Sequence, residues 1–252
     1  MSNALPIPAD ECERVCARLA TLRAGLGRAI PPTLLRPNPP APATGPDAFV
    51  ASRWFAVFDR LAPAAGWTLD YLYDFHGNSG APRLYTRPTD ARPLATRAEL
   101  ERHTAEVFSR PVFLDHVELA EGDPDAALHL VWFALEAPKF YLRWHAQYLN
   151  DEFVVSTARL EELLEKIPGD ENPGPDFRRV IGEPARAALR ALDLRPRVAL
   201  GPDGAEVTAL AFGKWAGFHW HRARIRRERH GESLTLEVTR EIVAPYHCGI
   251  ML

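Results

Sequence analysis

The stretch Phe218-His219-Trp220-His221-Arg222-Ala223-Arg224-Ile225-Arg226, followed by Leu234-Thr235-Leu236-Glu237-Val238-Thr239-Arg240-Glu241-Ile242-Val243, decides the fold. Both runs alternate in polarity, so successive side chains fall on opposite faces of a strand. Pairing them antiparallel with Ile225 against Leu236 and Ala223 against Val238 keeps apolar residues opposite apolar ones. A slip of one residue would turn every side chain to the wrong face. That register sets His221 opposite Arg240 and His219 opposite Ile242. The other face then carries Phe218, Trp220, Arg222, Arg224 and Arg226 across from Thr235, Glu237, Thr239 and Glu241.

Working outward, the C-terminal hairpin spans about 207–243, with a further strand at 197–200. Upstream, the pattern predicts strands at 112–119, 128–136, 139–149 and 152–155, joined by turns short enough to require an antiparallel meander over about 112–155. Trp67, Leu69, Tyr71, Tyr73 and Phe75 alternate up to the turn-like His76–Gly80 segment, and Arg83–Thr86 completes a separate hairpin. Helices are expected at about 10–28, 47–61, 96–108, 157–167 and 184–192, from Asp10, Ser156 or Thr157, and Thr96-Arg97-Ala98-Glu99 as caps and from apolar residues at helical spacing. Runs of helices and runs of strands without βαβ alternation define an α+β fold on antiparallel sheet. The chain reads as one domain over 1–252 with a proline-rich arm at 31–46, where Thr33-Leu34-Leu35 anchors on the body, and a possible division at the loop 168–176.

The 252 residues are 46% hydrophobic and 25% charged, which excludes a disordered or collagen-like chain. A net charge of −3 supplies no global field to hold the protein on nucleic acid or an anionic membrane. The N-terminus lacks a basic, then apolar, leader, and the most apolar stretch, Ala126–Leu135, is too short to span a membrane. Three cysteines, with Cys12 and Cys16 one helical turn apart, read as buried thiols in a reducing cytosol, and a bacterial source is expected. The 27 arginines against three lysines are spread along the whole chain and mark no phosphate site by themselves.

Three constellations carry chemistry. On the expected meander, His116, His129 and His145 fall opposite one another on adjacent strands, close enough to share a Zn²⁺ ion, with Tyr141, Arg143 and Glu118 completing a polar pocket. The bland alternative is a half-solvated sheet face with ordinary histidines. His219 and His221 share one face of a strand, a spacing that metal sites use, but neither Arg240 nor Ile242 is a ligand, so a closed site needs a residue from another element. Core histidines are the alternative. Phe218, Trp220, Arg222, Arg224 and Arg226 have the composition of a single-stranded nucleic-acid platform or a partner face, and the glutamates across the strand partly neutralise it.

Other motifs fail. Gly77-Asn78-Ser79-Gly80-Ala81 lacks the final glycine and the following helix of a nucleophile elbow. No phosphate-binding glycine loop and no paired-cysteine zinc motif is present. On residues alone the leading expectation is a non-enzymatic cytosolic binding module that recognises a protein partner, such as an immunity, adaptor or defence-associated protein. No cofactor is required for that reading. The alternatives are a metal-assisted hydrolase built on one of the histidine sets, with Zn²⁺ as its ion, and a nucleic-acid binder using the C-terminal hairpin.

Overall fold

The computed structural model describes residues 4–26, 30–35, 49–76, 79–104, 112–144, 146–147, 151–169, 180–227 and 234–246. In chain order the elements are β1 (Leu5–Pro6), α1 (Ala9–Gly25), α2 (Trp54–Val57), β2 (Leu61–Pro63), β3 (Trp67–His76), β4 (Ser79–Pro88), α3 (Arg97–Thr104), β5 (Val117–Leu119), α4 (Pro124–Glu136), β6 (Arg143–Trp144) and β7 (Glu152–Phe153). There follow α5 (Thr157–Lys166), α6 (Glu183–Arg190), β8 (Arg197–Gly201), β9 (Gly204–Gly213), β10 (Gly217–Arg227) and β11 (Leu234–Ala244). The class is α+β on antiparallel sheet.

The largest sheet runs β1-β8-β9-β10-β11, with β7 added to the far end of β9. Its register between β10 and β11 pairs Ile225 with Leu236, Ala223 with Val238, His221 with Arg240 and His219 with Ile242, as the alternation predicts. The first arm of the expected 207–243 hairpin is itself two strands, β9 and β10. The chain turns at Gly213–Gly217, where Gly217 has φ +75° and a side chain would lie 2.1 Å from the Ala244 carbonyl oxygen. Only glycine takes that conformation without strain. A second sheet is the β3-β4 hairpin extended by β6, and β2 pairs with β5.

The sheet buries both faces. On one, Val207, Ala209, Ala211, Ala223 and Ile225 meet α4 and the apolar stripe of α1, Cys12, Val15, Leu19 and Leu22. Three alanines on that face let the helix lie close. On the other, Leu210, Phe212, Phe218 and Ala244 pack on Leu160, Leu163, Leu164 and Leu189 of α5 and α6. Arg186, nearly buried, joins those two helices by donating to the carbonyls of Ile181 (2.7 Å), Leu164 (2.9 Å) and Ile167.

The central part of the expected meander is where the structure departs most from the pattern. Residues 124–136 are helix α4, not a strand. Its local start signals are present: Asp123 accepts from the Asp125 amide at 2.9 Å and Pro124 occupies the first turn. However, Ala126 through Phe133 are all buried, so the helix has no polar face to display a 3.6-residue period. Among the described residues of 139–149, Arg143–Trp144 is strand, and Tyr141 and Trp144 take positive φ (49° and 44°) that bends the chain out of an extended path. Residues 112–119 reduce to a 3₁₀ turn at Val112–Leu114 and β5. The helix expected over 47–61 is a 3₁₀ turn at Ala51–Arg53 and the four-residue α2, although Phe49, Trp54, Val57, Phe58 and Leu61 are buried as its apolar side.

The remaining helices start within a residue of their expected positions. In the arm, Pro32–Leu34 forms a 3₁₀ turn with Leu34 buried. Residues 36–46 of the arm, 105–108 of the expected third helix and 170–176 of the expected loop lie outside the described residues. Among the described residues, no helix is long and apolar enough to cross a membrane.

Candidate metal centre

The alternation of β10 turns His219 and His221 toward the α4 face of the sheet, and both are buried. Asp151, also buried, reaches the same point from the residue before β7, which hydrogen-bonds along β9. Three features bring its carboxylate there. β7 docks with Glu152 opposite Phe212 and Phe153 opposite Ala211. Lys139 donates to the Asp151 backbone carbonyl at 2.7 Å and to Glu136 Oε1 at 2.9 Å, pinning the segment to the end of α4. Finally, Gly213 leaves room: a Cβ there would sit 2.2 Å from Asp151 Oδ1.

The three side chains converge on one point. His219 Nε2 lies 3.3 Å from His221 Nε2, and Asp151 Oδ2 lies 3.5 Å from the first and 3.6 Å from the second. His219 Nδ1 is 2.9 Å from the Gly217 carbonyl oxygen, which can only accept, so Nδ1 carries the proton and Nε2 presents its lone pair inward. A proton on His221 Nε2 bonds His219 Nε2 at 3.3 Å, and Asp151 Oδ2 pairs with Arg240 Nη2 at 2.8 Å. His221 Nδ1 is buried with no hydrogen-bond partner. The edges do match a tetrahedral metal: ligand bonds of about 2.0–2.2 Å separate the ligand atoms by about 3.3–3.6 Å.

The electrostatics suit a cation. Burial pushes the Asp151 carboxyl up, but the two imidazoles and the charges of Arg240 and Lys139 outweigh it and hold the group well below the ordinary carboxylate range. Burial holds His221 below its usual value against the opposing pull of Asp151, so at neutral pH it is the uncharged imidazole that a metal requires. The His219 contact with the Gly217 carbonyl is the outer-shell hydrogen bond that fixes a ligand's tautomer. Two histidines and one aspartate supply three ligands and leave one tetrahedral position open, the arrangement of a reactive rather than a closed structural zinc site.

Of the first histidine set, the described His116 and His129 lie in separate surroundings. His129 sits in α4, donating from Nε2 to Glu11 Oε1 at 2.8 Å, with Nδ1 facing the Arg60 amide at 3.4 Å and Asp59 Oδ1 at 3.8 Å. Glu11, Asp59 and His129 also form a ligand-type cluster, but Arg14 bonds both carboxylates and Arg18 pairs with Asp59. Against the effect of burial, these arginines bring Asp59 to about 2. Both carboxylates of that cluster are thus paired with arginines, and both ring nitrogens of His129 have partners. His116 stacks its ring on Trp67, centroids 3.2 Å apart. His145 lies outside the described residues. Nor do Tyr141, Arg143 and Glu118 line one pocket: the Tyr141 carbonyl accepts from the Tyr73 hydroxyl, Arg143 covers the Phe75 ring, and Glu118 is exposed on β5.

The aromatic and arginine face of β10 is divided by the helices that cover it. Phe218 is fully buried under α5 and α6 and Trp220 packs partly against the same cluster, so neither offers a free ring to a base. Arg222 pairs with Glu241 and Arg224 with Glu206, while Arg226 is exposed opposite Thr235. Sequence reasoning found two of the three converging side chains. Asp151 carries no local signal beyond a carboxylate beside a short strand, since it is the pairing of β7 with β9 that delivers it. Comparison with protein-family models, curated proteins and solved structures finds no match for this chain.

Proposed function

We propose that the protein binds one divalent transition-metal ion of the zinc class through Asp151, His219 and His221, and that the open position makes it a metal-dependent hydrolase. The observation that carries the reading is the triangle of converging donor atoms with edges of 3.3, 3.5 and 3.6 Å, the spacing of ligand atoms around a tetrahedral ion. This defined constellation puts the metal-dependent reading ahead of the partner-binding module expected from composition.

A metal held by Asp151, His219 and His221 would supply Lewis-acid chemistry and a water activated near neutral pH. The chain's own residues hold the ligands in register: Gly217 orients His219, Lys139 fixes the Asp151 backbone, and Gly213 admits its carboxylate.

Elemental analysis of protein purified without metal-affinity resin tests the reading, beside the His221→Ala variant. Near-stoichiometric zinc in the parent protein and little in the variant is expected. Equal metal content in the two would remove His221 from the centre and defeat the proposal.

A further inference from the structure

Arg240 borders the centre without being one of its ligands. It lies opposite His221 on β11, an edge strand, and its Nη2 is 2.8 Å from Asp151 Oδ2, the oxygen that faces both imidazoles. Its side chain is 49% exposed, whereas that of Asp151 is 8% exposed. The guanidinium therefore stands between the buried donor atoms and solvent. The arginines on the opposite face of the hairpin differ, since Arg222 and Arg224 each pair with an exposed glutamate. Among the described residues, the ion pair of Arg240 is with Asp151.

We propose that Arg240 makes the open position an oxyanion site, so that the substrate or ligand of this centre carries a phosphate or carboxylate group. The inference rests on the metal reading above. A divalent ion on two neutral imidazoles and one carboxylate keeps a positive charge, and Arg240 adds another beside the same carboxylate. Moreover, one carboxylate oxygen serves two cations in this arrangement. A metal drawing on Asp151 Oδ2 weakens its hold on the guanidinium, and the freed N–H fork is shaped for two oxygens of a planar or tetrahedral anion. An anion bridging the metal and Arg240 satisfies both cations together.

Cobalt-loaded protein titrated with inorganic phosphate tests this, because the visible spectrum of bound Co²⁺ reports a change in its fourth ligand. The expected result is a saturable spectral change at millimolar phosphate or below. In Arg240→Gln, Co²⁺ should still bind stoichiometrically while phosphate affinity falls about tenfold to a hundredfold, the loss expected for hydrogen bonds to a charged group. Should Arg240→Gln fail to fold or to hold Co²⁺, Arg240→Lys keeps the charge beside Asp151 without the fork, and its phosphate affinity should also fall. A parent spectrum indifferent to phosphate, or an Arg240 variant that holds Co²⁺ and binds phosphate as tightly as the parent, overturns the inference and leaves the metal centre standing. Absence of a bound-cobalt spectrum in the parent protein defeats the metal reading and this inference with it.

Discussion

His219 commits one ring nitrogen to the Gly217 carbonyl and points the other at His221 and Asp151, so its chemistry is set by a backbone oxygen two residues away. Gly213 acts on the same site by lacking a side chain. Gly213→Ala should push the Asp151 carboxylate off its position, because its new Cβ would meet Oδ1 at 2.2 Å. We expect a cost of about 1–3 kcal/mol in urea unfolding and a fall of about 10- to 100-fold in zinc affinity. Unchanged affinity would mean that Asp151 is not a ligand. The arginines of the solvent face give a contrast. Arg224→Ala breaks an exposed pair with Glu206 and should alter stability by less than about 1 kcal/mol.

At the scale of elements, the two histidines were legible because β10 is alternating and its partner β11 alternates in phase, which fixes both face and register. Helix α4 was not legible as a helix because burial on every side removes the polar stripe, leaving only Asp123 and Pro124 as signals. That one misreading moved His129 from a strand face into a helix and dissolved the expected histidine row. Asp151 was illegible for a different reason: a two-residue strand has too few positions to show a period, and its pairing with β9 is a tertiary fact. The α5 and α6 pair gives an element-scale test. Arg186 satisfies three carbonyls around the end of α5, so Arg186→Met should destabilise the protein by roughly 2–4 kcal/mol, read by urea denaturation. A loss near zero would show that those carbonyls find other donors.

At the scale of the whole molecule, the buried titratable groups make stability depend on pH in one direction. His129 and His221 are both held by burial below the ordinary 6.5, so below that value the unfolded chain takes up protons that the folded chain refuses. Stability is therefore full above about pH 6.5 and declines as pH falls toward the lowered folded values. The depressed carboxyls of Asp151 and Asp59 act next: their contribution is present above the ordinary 3.8 and is lost as pH drops through their folded values, about 2 for Asp59. The melting temperature should be level from pH 8 to 7 and fall progressively below pH 6.5. A level profile down to pH 5 would contradict the assignment of neutral, buried histidines.

The claim that organises the site is that a metal ion belongs among Asp151, His219 and His221. The most direct measurement is a calorimetric titration of Zn²⁺ into metal-stripped protein near neutral pH, with the melting temperature recorded before and after. One equivalent should bind, and a ligand that binds only the folded state should add about 4 kcal/mol of stability when its free concentration is a thousandfold above Kd. Asp151→Asn should abolish both the heat and the rise in melting temperature. No saturable heat and no change in melting temperature in the parent protein would contradict the account.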